Sequence, residues 1–141
     1  MADLSSLIRL HQYDLDEKQR VLAELYGQQK ILEDQKQTLQ DKIVTEQKII
    51  EEQGGEVHYT LAGFIQSVKQ QTLKIEYQIQ MIDQDVVVAK EALMDVFAEL
   101  KKYEMTQAER DRIELKQQKA RETMELDEIA LDVFRRKTDE T

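Results

Sequence analysis

At 141 residues, with 35% charged and only 6% aromatic side chains, the chain holds too little bulky apolar material for a thick globular core, and one elongated domain over 1–141 is expected. The 29 acidic against 20 basic residues give a net charge of −9, which repels phosphate backbones and anionic lipid and so disfavours nucleic acid and membrane surfaces as partners. There is no cysteine, hence neither a disulfide framework nor a thiolate metal site, and no proline anywhere to interrupt a helix.

The opening MADLSSLIRLHQYDLDEKQR lacks a basic start followed by an apolar run, so neither a signal peptide nor a direct membrane insertion is expected. Apolar positions then recur three and four residues apart: Leu4, Ile8, Leu15, Leu22, Leu25, Leu32, Leu39, Ile43 and Ile50, with His11, Lys18, Gln29, Lys36 and Glu46 at the remaining steps of the series. This heptad seam predicts a first helix over about 4–52. Its polar steps fix register or partner number, or else extend their long side chains out of a thin seam.

The only glycine pair, Gly54–Gly55, follows, and the turn is expected at about 53–59, where glycine supplies the positive φ at which a helix stops and the chain reverses. A second seam, Leu61, Ile65, Val68, Thr72, Ile75, Ile79, Ile82, Val86, Ala89, Leu93, Val96, Leu100 and Tyr103, predicts a second helix over about 60–136. Ile8–Ile50 and Leu61–Tyr103 each span 43 residues, and equal seams on either side of a break read as a hairpin. The predicted fold is all-α: a two-helix antiparallel coiled-coil hairpin whose longer second helix overhangs the N-terminus. Paired arms of roughly 65 Å, opposite residues whose numbers add to about 111, and a free monomer follow.

Beyond Tyr103 the first arm is used up, and the charged stretch TQAERDRIELKQQKA suits a solvated helix. Then MELDEIALDVF turns apolar, with Leu126, Ile129, Ala130 and Val133 on one stripe and Phe134 at its border. Nothing within one hairpin covers this segment, so it is an interaction site, a frayed end or a self-association contact. Arg135, Arg136 and Lys137 either pair with acids on a partner or favour a helix C-terminus. Just after the turn, Phe64 either caps the hairpin tip or, with Val68 and Gln71 at i, i+4 and i+7, presents one face to a partner, with Gly63 permitting close approach or marking an irregular helix start.

No catalytic residues, cofactor site or metal site are expected. There is no G-x-x-x-x-G-K-[ST] run to cradle phosphates. His11 and His58 have no second histidine at ligand spacing, and His11 lies on the seam, where a satisfied core residue is the simpler reading. The many carboxylates read as solvated faces, because acid–base catalysis needs a cleft.

SLIRLHQYDLDEKQR near the start, AELKKYE in the second arm and the LDEIALDVF ending together resemble the FliJ family of flagellar type III export proteins, in the form found in alphaproteobacteria, over nearly the whole chain. The resemblance implies a cytoplasmic, non-enzymatic coiled coil, peripherally associated with the cytoplasmic face of the flagellar basal body. It further implies a rod-like stalk that inserts into and stimulates the export ATPase ring, and that contacts the export-gate membrane protein and export chaperones. For the gate, Phe64, Ile65 and Gln66 match the family's aromatic–Ile–Gln and Val68 keeps an aliphatic, whereas Gln71 replaces a small apolar residue and Ile75 a polar one. For the ATPase ring, topology and the unpaired apolar tail select Leu7, Ile8 and Arg9 on the first arm with Ile129, Val133, Phe134 and Arg135 on the second. Two other classes compete: a structural coiled-coil spacer of parallel chains, and a prefoldin-like holdase chaperone.

Overall fold

The computed structural model describes residues 3–53 and 58–140. They form two helices, α1 (Ser5–Gln53) and α2 (His58–Asp139), packed against each other as an all-α helical hairpin, with no strand among the described residues. Gly54 and Gly55, the centre of the expected turn, lie outside the described residues. The helices are long because nothing in either sequence stops them: proline is absent, and leucine, glutamine, glutamate and lysine all have high helix propensity. α2 runs past the expected end near 136, since Arg136–Lys137–Thr138 contains no breaker; Thr138 Oγ1 donates to the Phe134 carbonyl (2.9 Å) and the Glu140 N–H to that of Arg136 (3.2 Å).

The chain divides into two compact units. The first to consider, Tyr13–Val96, joins most of α1 to the first half of α2 in antiparallel fashion. Every described position of the two expected seams in this unit is buried or half-buried, and Ile50, Val68 and Val86 are the most enclosed, at 7%, 3% and 5% exposure. Two helices cannot enclose more than a line of side chains, so each fully covered aliphatic, worth about 1.5–3 kcal/mol, matters more than it would in a thick core.

The polar seam positions find partners across the helices. Gln29 Nε2 donates to Asp83 Oδ1 (2.6 Å), and Lys36 Nζ lies 3.4 Å from Glu76 Oε1. Both pairs of residue numbers add to 112, against the expected 111, so these long side chains reach across the helices in the expected register. Lys90 Nζ sits 5.8 Å from the Tyr26 ring on the same flank. Glu46 stays half-buried with no ion pair among the described residues.

The other unit comprises Met1–Gln12 and Phe97–Thr141. Leu100 is its enclosed seam residue, at 4% exposure. His11 stands edge-on to Tyr103, ring centroids 4.8 Å apart, and its Nδ1 donates to the Leu7 carbonyl (2.9 Å), which makes it a satisfied seam histidine. The pairing ends where the Leu4 N–H donates to Gln107 Oε1 (3.0 Å), one of the donors that a helix start leaves without an intrahelical acceptor. Gln107 Nε2 donates in turn to Asp111 (2.9 Å), which holds the amide in the orientation the bond needs. Asp3 caps the first turn, accepting the Ser5 N–H (3.1 Å) and the Ser5 hydroxyl (2.7 Å).

Candidate partner-docking surfaces

From position 111 to its end at Asp139 every residue of α2 is exposed. The helix there supports itself through contacts between its own neighbouring turns: Arg112 holds Glu109 with two bonds (2.6 and 3.1 Å), Gln118 reaches Glu122 (3.4 Å), and Thr123 donates to the Lys119 carbonyl (2.9 Å). The Arg112 guanidinium holds the Glu109 carboxyl below its ordinary range by hydrogen bond and charge, and the same contact raises Arg112. Both groups are solvated, so the pair steadies the helix locally and leaves the apolar stripe untouched.

That stripe is bare. Leu126, Ile129, Val133 and Phe134 are 66%, 60%, 48% and 69% exposed, within one short run of helix. Arg135 is exposed beside them. On the first arm, Leu7 and Ile8 are half-buried and Arg9 is exposed. The structure does not bring these two groups into one site. The Leu4–Gln107 bond fixes the end of α1, and Ile129 lies 22 residues further along α2, on the order of 33 Å away.

Near the start of α2 the three residues expected to meet the gate divide. Val68 is 3% exposed and faces the seam, Phe64 is half-buried, and Gln71 is exposed. The face a partner can touch there is formed by Phe64 and Gln71, with Val68 packed behind them. A Cβ added at Gly63 meets nothing within 4 Å, so no contact inside the molecule requires glycine at this position. No group of three or more His, Cys, Asp or Glu able to hold a metal ion occurs among the described residues, and no helix among them is long and apolar enough to cross a membrane.

The family model for the flagellar FliJ protein matches residues 1–139. This chain belongs to the FliJ family. FliJ proteins are components of the flagellar type III export apparatus, and the helical hairpin described above is the coiled coil that the resemblance implied. No curated protein and no solved structure matched.

The seam was readable from heptads alone, and so was the bare tail, because it lies where the first arm runs out. Gln107 was not. A glutamine at a seam position looks like one more polar interruption until the Leu4 N–H is seen to end on it; the available signal was its partner number, since 4 and 107 add to 111.

Proposed function

We propose that this FliJ-family chain is a non-enzymatic stalk in the cytoplasm, at the cytoplasmic face of the flagellar basal body, whose bare helical end seats in the ring of the export ATPase and stimulates it. The observation that carries this reading is the exposure of α2 from 111 to 139, with an apolar stripe that no described residue covers. Ile129, Val133, Phe134 and Arg135 are the deep contacts. Leu7, Ile8 and Arg9, level with about Tyr103, form a second contact on the order of 39 Å along the helix from Ile129, so the two groups meet different levels of the ring.

A single helix inside a six-membered ring touches its subunits unequally. Unequal contact gives each nucleotide state a different affinity for the stalk, and differential affinity is what shifts populations around the ring. In this reading Phe64 and Gln71, backed by Val68, meet the cytoplasmic part of the export-gate membrane protein, and export chaperones are further partners. No cofactor and no nucleic acid take part. The spacer alternative requires parallel chains, whereas here both seams are matched antiparallel within one chain, as the Gln29–Asp83 and Lys36–Glu76 contacts show.

Deleting residues 121–141 is expected to abolish stimulation of a purified export ATPase while leaving the thermal unfolding of the paired helices unchanged. Full stimulation by the truncated protein would overturn the assignment of this end. Phe64→Ala is expected to weaken gate binding at an unchanged melting temperature, and a titration showing equal affinity would remove that surface.

A further inference from the structure

Within residues 13–96 the seam changes character along its length. Seam residues whose numbers add to 111 stand within a residue of one level, as the Gln29–Asp83 and Lys36–Glu76 contacts show, and so divide this unit into layers. On one side Leu25–Val86, Leu22–Ala89 and Leu15–Val96 are aliphatic throughout, with Lys18–Leu93 the exception. On the other side Ile43–Val68 and Ile50–Leu61 are aliphatic, with Glu46–Ile65 the exception. Between them come Gln29–Ile82, Leu32–Ile79, Lys36–Ile75 and Leu39–Thr72, and only the second of these has no polar side chain.

Burial follows the same division. Val68 and Val86 are 3% and 5% exposed, yet the seam residues between them, Thr72, Ile75, Ile79 and Ile82, are all only half-buried. A half-covered aliphatic leaves part of its transfer free energy unrealised. What crosses between the helices here is polar: the Gln29–Asp83 bond lies in solvent, and the Lys36 and Glu76 side chains are 29% and 44% exposed. Water and salt compete for such contacts, so they align the helices without clamping them. Gly27 stands at the edge of this stretch. A Cβ there meets nothing within 4 Å, so no close approach requires glycine, and glycine weakens a helix interior relative to alanine.

We propose that Gly27–Leu39, with Thr72–Asp83 opposite, is a soft joint in the paired helices: its layers part and re-form while Leu25–Val86 on one side and Ile43–Val68 on the other stay closed. Helices loosen from their ends, so a uniform hairpin is best protected at mid-length. Here that order is reversed. A bend or twist imposed on the pair is taken up where the least apolar contact has to be given up, in the middle. The proposal concerns the paired region alone and is independent of the role assigned to the bare end of α2.

The chain has no cysteine, so single cysteines report opening of the seam directly. Leu25→Cys, Leu32→Cys and Ile43→Cys each replace a half-buried aliphatic on the seam of α1. Their labelling by a small thiol reagent is followed on the full chain, alongside native-state amide exchange of the unsubstituted protein. Leu32→Cys is expected to react about tenfold faster than either of the others, and amides of 29–36 and 75–82 to exchange faster than those around Val68 and Val86. Gln29→Leu with Lys36→Leu should slow Leu32→Cys to within about threefold of the flanking positions, whose own rates should not move. Gly27→Ala should slow it by about twofold to fivefold. Rates that fall from both ends to a minimum at Leu32 overturn the proposal, as does a fast middle that ignores the apolar replacements. If the double replacement alters the sedimenting mass or fails to fold, Thr72→Val, which keeps the side-chain shape, takes its place with the same expected and contrary outcomes.

Discussion

Leu100 and Ile129 are aliphatic residues on the same helix, in the same solvent, and they differ in one respect. Leu100 is 4% exposed because α1 covers it, and Ile129 is 60% exposed because α1 has ended. The first has its transfer free energy realised in folding, and the second keeps it in reserve for whatever covers that end. Covered and bare apolar residues therefore occupy separate stretches of one continuous helix, with the Leu4–Gln107 bond marking the boundary, and the proposed docking falls to the bare stretch.

The largest expected effect follows directly. Leu100→Ala should cost about 2–4 kcal/mol in chemical denaturation, because a two-helix seam has few neighbours to close over the cavity. Ile129→Ala should change stability by less than about 0.5 kcal/mol while lowering ATPase stimulation. Equal losses of stability at the two positions would show that α2 beyond residue 111 is covered after all, and the contrast would be lost.

How much of this was visible in the sequence depends on which force sets each feature. The seams were legible because side-chain burial follows helical period, and Leu4 through Tyr103 obey it almost without exception. The tail was legible by subtraction. The cross-helix bonds of Gln29 and Lys36 were not, since a polar residue at a seam position is equally compatible with reaching across the helices and with pointing to solvent. The split of the trio expected at the gate was hidden for a related reason: spacing of i, i+4 and i+7 places Phe64, Val68 and Gln71 on adjoining parts of the helix surface, but only the packed partner decides that Val68 turns inward.

The boundary itself can be weakened. Gln107→Leu removes the acceptor of the Leu4 N–H and the donor to Asp111, and should cost about 0.5–1 kcal/mol despite adding an apolar group at a seam position. Amide exchange should quicken at Leu4 and the following turn while the protection around Val86 stays unchanged. Uniform quickening throughout would mean that Gln107 supports the whole hairpin rather than its end. Glycine replacements separate the regions in the opposite sense. A Cβ at Gly27 or Gly63 meets nothing within 4 Å, so alanine at either position should raise stability by about 0.5–1 kcal/mol. If a partner's backbone approaches α2 beside Phe64, Gly63→Ala should also weaken gate binding and Gly27→Ala should not.

The smallest effect lies at the outermost turn of the paired region and depends on pH. Asp3 is held below the ordinary carboxylate range, first by the Ser5 hydroxyl, then by the Ser5 N–H, with a further contribution from Arg9. A depressed folded-state pKa means that the cap's contribution is fully present above the unfolded value, about 3.9, and is lost as pH falls through the lower folded value. Because Asp3 is fully exposed, the loss should be confined to the first turn of α1. The expected result is that NMR shifts of Ser5 and Ser6 move toward coil values below about pH 4, while those of Leu100 and Val86 hold. Asp3→Asn keeps a capping oxygen without a charge that titrates, so it should retain the turn at neutral pH and flatten the acid response. An acid transition that survives in Asp3→Asn would assign the proton to another group, with Glu17, which Arg20 likewise holds below its ordinary value, the next to replace.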